Sequence, residues 1–262
     1  MVQVSVTVAA RDGVLLAPMG LATPHLGVSD FAVSGGDWRK VTEASTGQPV
    51  AVITARDNPI TLTYRYDAQA AAAYPDRMFV ANNSRFTRTA DTLADTAIGL
   101  GGLADIVSHV AGLFDYGHAS GTFYQDTDHV PEVCGLTKGS CVDINLYLIA
   151  MLRAVGIQAG YVTGYFFPEE KGGVTCNDMH CWVVTRHDGI TQEWDIAHHL
   201  KMGTRDVCAA LDPKPGHRVP LAHSMGLSFP DLGLHDLKLI SEPMWVRNGT
   251  LERTPLDIRC TR

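Results

Sequence analysis

The sequence predicts an α+β fold, with a small β-rich N-terminal domain over residues 1–80 and a larger core over residues 81–262. Three observations predict this class. Apolar and polar residues alternate through the N-terminal 80 residues, as in strands of antiparallel sheets with one solvated face. From Ala90 the apolar spacing becomes helical. A long apolar helix is then followed by consecutive apolar strands, and this order favours an antiparallel sheet over a parallel one.

The N-terminal domain opens with alternating valines at residues 2–8, and further strand patterns occupy 50–55 and 60–66. Turn-forming residues at 35–37 and 57–59 separate these patterns. We therefore expect a small antiparallel sheet or a sandwich in this part of the chain.

The core follows a segment, residues 79–86, that is interpreted as a linker. Two helices are predicted between residues 90 and 114, divided by glycines near 99–102. The stretch 115–138 is rich in Gly, Asp and Thr, and an irregular segment of that length in a compact domain is often functional. A third helix is predicted to begin at Cys141 and to end at about Val155, before Gly156.

Strand patterns then occupy residues 158–167, 180–186 and 191–196. The proline-rich tail from about residue 200 is expected to wrap the core as loops and short strands.

Composition excludes several classes of function. The chain has 262 residues, a net charge of -7 and no run of basic residues, which argues against nucleic-acid and membrane-surface partners. It contains no apolar stretch of about 18 residues that would span a membrane. The N-terminus lacks the pattern of a secretory signal, so we expect a cytoplasmic location in which the six cysteines stay reduced.

Cys141 is the strongest candidate for a reactive group. It lies at the predicted start of an apolar helix, where the helix dipole and free backbone N–H groups favour a thiolate. A thiolate nucleophile needs a base beside it and a group that orients the base. His180 and Asp195 follow Cys141 in that order along the chain.

The spacing of His180 and Asp195 supports a contact between them. A hairpin that turns at residues 187–189 would place His180 opposite about residue 196, next to Asp195. A hydrogen bond between the two side chains across adjacent strands is therefore expected.

These motifs resemble the transglutaminase-like superfamily of papain-type thiol enzymes. The resemblance lies in Gly-Ser-Cys-Val-Asp at 139–143, Leu-Arg-Ala-Val-Gly-Ile at 152–157, His-Cys-Trp at 180–182 and Trp-Asp at 194–195. It covers roughly residues 82–200. It implies the family fold, in which a catalytic cysteine begins a helix packed on an antiparallel sheet.

The resemblance also implies catalytic roles. Cys141 would be the nucleophile of a cysteine peptidase, amidase or transamidase, His180 its base and then acid, and Asp195 the residue that orients His180. The oxyanion would be held by the backbone N–H of Cys141 and by a side chain from the preceding segment. The candidates for that side chain are Tyr116, Tyr124 and Gln125.

Further residues are expected to line the site, namely Asp143, Trp182, Trp194 and His198. The sequence departs from the family pattern at Cys181, where alanine is usual, and after Asp195, where Ile-Ala-His-His replaces the frequent Pro-Thr. If residues 195–199 form a strand, adjacent His198 and His199 point in opposite directions, and at most one of them faces the cleft.

The substrate expected from this interpretation is a peptide, a protein or a small amide, and neither a cofactor nor a bound metal ion is expected. Two other functions remain open. One is a non-catalytic transglutaminase-like module that binds peptides or scaffolds a partner. The other is a metal-binding protein, whose ligands would come from Cys134, Cys141, Cys176, Cys181, His180, His198 and His199.

Overall fold

The computed structural model of the chain describes residues 1–82, 84–118, 127–176 and 179–262. In chain order its strands are β1 (Val2–Val8), β2 (Val14–Pro18), β3 (Gly27–Ser34), β4 (Gly36–Thr42), β5 (Pro49–Ala55), β6 (Ile60–Asp67), β7 (Phe114–Tyr116), β8 (Thr137–Gly139), β9 (Gln158–Pro168), β10 (Met179–His187), β11 (Ile190–Trp194), β12 (Gly216–His223), β13 (Leu227–Phe229), β14 (Leu234–Leu237), β15 (Met244–Arg247), β16 (Thr250–Glu252) and β17 (Leu256–Thr261). The α-helices are α1 (Asp91–Leu100), α2 (Leu103–Leu113), α3 (Cys141–Ala154) and α4 (Ile196–Lys201).

Helices combined with mostly antiparallel sheets confirm the predicted fold class. No helix in the described part of the chain is long and apolar enough to cross a membrane.

The N-terminal part consists of two sheets, with strand orders β17-β1-β6-β3 and β16-β15-β2-β5-β4. The alternation in β1 has the predicted consequence, because Val4, Val6 and Val8 are buried while the residues between them are partly exposed. The tail was expected to wrap the core, but two of its strands join the N-terminal sheets instead. Its strands β15 and β17 pair with β2 and β1, and thereby satisfy backbone groups that would otherwise form open sheet edges.

The N-terminal sheets and the core share one hydrophobic cluster. Tyr64 and Tyr66 of β6 are fully buried in it, together with Tyr165 and Phe167 of β9. The hydroxyl of Tyr66 donates a hydrogen bond of 2.6 Å to the carbonyl of Pro220 in β12. The connecting segment, expected to be a linker, is anchored at its two ends, where Phe79 and Phe86 are buried.

Helix α3 lies at the centre of the core. Its residues from Ile144 to Leu152 are all completely buried, and a helix that is apolar on every face needs partners on every side. Helices α1 and α2 supply those partners on one side, and β9 and β10 supply them on the other. The predicted division of α1 from α2 and the predicted bounds of α3 are confirmed, and Gly156 follows α3 with a φ of 79°.

A four-stranded antiparallel sheet, β11-β10-β9-β12, carries the histidine and ends beside the aspartate. Strands β10 and β11 form the predicted hairpin, in which Val183 lies opposite Trp194, one residue from the expected register. Asp188 and Gly189 both have positive φ, as the turn of a tight hairpin requires. The prediction of a strand through Ile196 was wrong, because β11 ends at Trp194 and Ile196 begins α4.

Candidate active site

Cys141 is the first residue of α3, and a reciprocal cap fixes the start of this helix. The Asp143 carboxylate accepts hydrogen bonds from the backbone N–H of Ser140, at 2.8 Å, and from its hydroxyl, at 2.6 Å. In return, the Ser140 hydroxyl oxygen accepts from the N–H of Asp143. This capping box satisfies backbone donors that a helix start leaves open, and it leaves the Cys141 N–H directed away from the helix body.

The segment before Cys141 is held close to β7. Gly139 pairs with Tyr116 in the short parallel ladder between β7 and β8, and the N–H of Gly117 donates to the Gly139 carbonyl at 2.9 Å. A Cβ atom at Gly139 would lie 2.7 Å from the ring of Phe114. Glycine is therefore required at this position to bring Tyr116 next to the start of α3.

His180 and Asp195 meet as their spacing predicts. Nε2 of His180 lies 2.7 Å from Oδ2 of Asp195, and both side chains are about 1–2% exposed. The other ring nitrogen, Nδ1, is buried without an oxygen or nitrogen partner in the described structure, and the thiol of Cys141 adjoins this ring. The structure thus brings Cys141, His180 and Asp195 together in one row.

The arrangement of these three side chains favours a negative charge on Cys141 and a positive charge on His180. A hydrogen bond from Cys181 and the hydrogen bond and charge of His180 lower the pKa of Cys141 well below its ordinary value, against the opposing effect of burial. Burial by itself would lower the pKa of His180, but the charge and hydrogen bond of Asp195 raise it to about 9. At neutral pH the pair is therefore a thiolate beside an imidazolium.

An arginine that sequence reasoning missed lies behind Asp195. Arg218 of β12 contacts Glu193 at 2.6 Å, Asp195 at 3.4 Å and Asp212 at 3.7 Å. Its side chain is 16% exposed and its guanidinium lies over the ring of Trp182. The available signal was a single arginine in an apolar strand pattern, which indicates a partly buried ion pair.

His198 and His199 lie on α4 rather than on a strand, so the alternation expected for a strand does not apply. Asp195 caps this helix by accepting from the N–H of His198 at 3.0 Å. The His198 ring is stacked on His180, with centroids 3.7 Å apart, and its Nδ1 lies 2.8 Å from Asp212. The ring of His199 is hydrogen-bonded through Nδ1 to the Asp195 carbonyl, and its Nε2 accepts a hydrogen bond from the N–H of Cys208.

Within the described ranges, one group of acidic and imidazole side chains has a geometry that could hold a metal ion. It consists of His180, Asp195, His198 and Asp212, whose ligand atoms all lie within 4.8 Å of one another. It includes none of the cysteines expected in a metal site. Cys134 is exposed, and Cys176 is buried in the cluster shared with the N-terminal sheets. The guanidinium of Arg218 already contacts both carboxylates, so a cation is present at this position.

A cavity of about 540 Å³ opens onto Cys141 and His180. Tyr116 lines it, as expected of an oxyanion donor, while Tyr124 and Gln125 lie outside the described residues. The tail supplies the opposite wall, which the sequence did not predict, with Leu237, Lys238, Leu239, Ser241, Glu242, Met244, Leu251 and Arg253. A larger cavity of about 750 Å³ lies elsewhere, beside Glu43 and His223, and none of the three row residues reaches it.

None of the four predicted lining residues is among those that line this cavity, and His198 lines a smaller neighbouring one of about 50 Å³. Asp143 is buried in the cap of α3 and does not line the cavity. Trp194 donates from Nε1 to the Thr185 hydroxyl at 2.8 Å and belongs to the hydrophobic core. Trp182 stacks on the ring of His180, with centroids 6.2 Å apart, and belongs to a small apolar cluster. The two tryptophan rings therefore support the site and do not form its surface.

Comparisons with known proteins agree with this architecture. Residues 85–194 match the family model of the transglutaminase-like superfamily, a range that includes Cys141 and His180 and ends just before Asp195. No curated protein matches the sequence. The chain is similar in structure to a candidate cysteine protease from Cytophaga hutchinsonii, with a TM-score of 0.56 and 14% identity over 99% of this chain and 89% of that chain. A weaker similarity relates it to the periplasmic domain of TgpA from Pseudomonas aeruginosa, with a TM-score of 0.35 and 14% identity over 74% of this chain and 89% of that chain.

Proposed function

We propose that the protein is a thiol enzyme of the transglutaminase-like superfamily, whose family model matches residues 85–194, and that it transfers the acyl group of an amide or peptide bond. The observation that carries the proposal is the row of Cys141, His180 and Asp195 at the floor of an open cavity. Its charge separation supplies the thiolate that such a reaction needs.

In the first half of the reaction, the Cys141 thiolate attacks the carbonyl carbon of the substrate. The oxyanion that forms lies near the start of α3, where the Cys141 N–H and the positive end of the helix dipole stabilise it. We assign the second oxyanion donor to the hydroxyl of Tyr116, which lines the same cavity. His180 then gives its proton to the leaving amine, and an acyl-enzyme remains on Cys141.

In the second half, His180 takes a proton from the acceptor as it attacks the acyl-enzyme. Water as acceptor makes the protein a peptidase or amidase, and an amine makes it a transamidase. We favour hydrolysis, because water is always present in an open cavity. Asp195 holds the ring of His180 in place through the 2.7 Å hydrogen bond and stabilises its positive charge in both halves.

The lowered pKa of Cys141 favours this function over a non-catalytic binding module. A module that only binds peptides has no use for a buried thiolate, which loses solvation energy on burial. Peptide, protein and small amide substrates all fit the proposal. The cavity volume of about 540 Å³ accommodates one or two amino-acid side chains or a drug-sized amide.

Labelling with acyl electrophiles tests the proposal. Wild-type protein, Cys141→Ala and the control Cys134→Ser, which changes an exposed thiol, are treated with substoichiometric peptidyl probes and mapped by mass spectrometry. We expect the wild type and the control to be labelled at Cys141, and Cys141→Ala to be unlabelled while it keeps its melting temperature. Labelling that is confined to other cysteines, with full activity in Cys141→Ala, would contradict the proposal.

The acceptor is determined in the same system. A probe whose acyl group is trapped on Cys141 is chased with buffer alone or with a primary amine, and the released product is identified by mass. Release of the free acid at equal rates in both chases indicates hydrolysis. Release of an amide in the second chase, in proportion to the amine concentration, indicates transamidation.

A further inference from the structure

We propose that Cys141 and Cys181 form a reversible disulfide, which makes this site a target of peroxide oxidation and protects its nucleophile from irreversible damage. Cys181 follows His180 directly in β10, at the position where the sequence departs from the family pattern. In the mechanism proposed above, its only part is a hydrogen bond to the sulfur of Cys141. The pair is a candidate modification site whose chemistry depends on two thiols and an oxidant, and not on the identity of the substrate.

The two thiols are neighbours although 40 positions separate them. Cys141 begins α3, Cys181 lies on β10, and α3 packs directly on β10. The side chains are joined by a hydrogen bond and line the same cavity. Both are free thiols in the structure, so the site as described is the reduced form.

The surroundings of Cys181 keep it protonated and fixed in place. It is 2% exposed, and the side-chain amide of Asn145 donates to its sulfur at 3.2 Å. Burial and the neighbouring charge of Cys141 raise the pKa of Cys181. Asn145 lies one helical turn after Cys141, so α3 positions both the nucleophile and the donor that holds the second thiol.

This difference between the two thiols sets the order of oxidation. Peroxides react with thiolates much faster than with thiols, so Cys141 reacts first. Its sulfur attacks one oxygen of hydrogen peroxide, an S–O bond forms, the O–O bond breaks and the leaving hydroxide is protonated to water. The product is a sulfenic acid on Cys141.

Cys181 then resolves the sulfenic acid. Its sulfur attacks the sulfur of Cys141, the S–S bond forms and the S–O bond breaks, and the hydroxyl group leaves as water with the thiol proton of Cys181. In total, two thiols and one hydrogen peroxide give one disulfide and two waters, a two-electron oxidation of the protein. A small dithiol returns both cysteines to the reduced state by exchange.

The remaining cysteines do not offer this arrangement. Cys134 and Cys208 are exposed, and Cys176 and Cys260 are buried in the hydrophobic cluster of the N-terminal sheets. Burial also raises the pKa of Cys260, which disfavours its oxidation. Cys141 and Cys181 are therefore the pair in the described structure that unites a stabilised thiolate with a second thiol in contact.

The test uses the full chain with Cys134→Ser and Cys208→Ser, which removes the exposed thiols that could link two molecules. This protein and its Cys181→Ser and Cys181→Ala derivatives are treated with hydrogen peroxide, digested and mapped. In the parent we expect a Cys141–Cys181 cross-link lighter by two hydrogen atoms, and most iodoacetamide labelling of Cys141 should return after dithiothreitol. In both derivatives we expect Cys141 to gain two or three oxygen atoms and labelling to stay lost.

Two results would overturn the proposal. One is a parent protein in which Cys141 is over-oxidised while Cys181 remains a free thiol. The other is equal recovery of labelling in the parent and in both Cys181 derivatives. A disulfide at Cys141 would block turnover only if the proposed function holds, whereas the cross-link itself does not depend on that function. A cross-link in a protein without acyl-transfer activity would therefore refute the proposed function alone.

Discussion

Replacing Asp195 with asparagine tests the charge separation in the candidate active site. The substitution keeps the shape of the side chain and an oxygen that can cap α4 through the His198 N–H, but it removes the negative charge beside His180. The rise in the pKa of His180 from 6.5 to about 9 corresponds to about 3 kcal/mol in favour of imidazolium. Without the carboxylate, burial is the largest remaining influence on His180, and it lowers the pKa of the ring and favours the neutral form over imidazolium.

The loss of imidazolium is transmitted to Cys141. Its pKa rises because the charge and hydrogen bond of His180 no longer favour the thiolate. We expect the rate of Cys141 alkylation by iodoacetamide at pH 7 to fall by up to about a hundredfold, the factor that corresponds to about 3 kcal/mol, because the hydrogen bond from Cys181 remains and limits the loss. The wild type should react rapidly at neutral pH, whereas the variant should gain reactivity as pH rises toward the ordinary range of a thiol. Rates over a series of pH values, measured by mass spectrometry of the Cys141 peptide, provide the profile.

Asp212→Asn is the matched control. Asp212 is bonded to His198 and lies near Arg218, so the substitution removes a carboxylate from the same network without removing a hydrogen bond to His180. We expect its alkylation rate to remain within about threefold of the wild type. An unchanged profile in Asp195→Asn, or an equal loss in both folded variants, would refute the reasoning.

The other predictions concern the oxyanion donor, the sheet and the arginine. Tyr116→Phe should lower kcat by about a hundredfold with an unchanged rate of Cys141 alkylation, because it removes one oxyanion donor and leaves the thiolate intact; a kcat equal to the wild type would exclude the hydroxyl. Gly164→Ala should lower the melting temperature by several degrees, because the new Cβ would lie 2.1 Å from the Val219 carbonyl oxygen. Its control is Gly99→Ala in α1, where the space is open and the substitution should raise the free energy of unfolding by about 0.5–1 kcal/mol. Arg218→Gln should destabilise the fold by about 3–5 kcal/mol in urea unfolding, because it leaves three partly or fully buried carboxylates without their shared cation; a loss below about 1 kcal/mol would show that the network is solvated.

The sequence predicted the parts of the site that depend on local pattern. Cys141 and Gly156 bound a helix by start and stop signals that lie within the segment itself. His180 and Asp195 are close because a two-residue turn fixes the register of one hairpin, and register is an arithmetic property of the chain. Pairings of this kind involve few residues and short separations, so a single sequence is sufficient to find them.

The tail and the arginine could not be found in this way. Strand β17 near the C-terminus pairs with β1 near the N-terminus, and no local sequence feature of either strand identifies the strand with which it pairs. The wall that the tail builds opposite Cys141 has the same origin, as Lys238 and Arg253 reach the cavity through long-range packing. Asp195 was expected to lie within a strand that runs to Ile196, and its second role as a helix cap depended on the helix that begins directly after it.

The position of Arg218 explains why the core can hold so many acidic groups near the active site. Glu193, Asp195 and Asp212 lie within 4 Å of one guanidinium, and without that cation the burial of these carboxylates would favour their protonated forms. A protonated Asp195 could not hold His180 as imidazolium, and the thiolate of Cys141 would be lost in turn. The charges from Cys141 to Arg218 therefore act together, because the hydrogen bonds of His180 and His198 keep Asp195 ionised and the guanidinium of Arg218 adds a positive charge 3.4 Å away. This requires Arg218→Gln to weaken both the fold and the reactivity of Cys141.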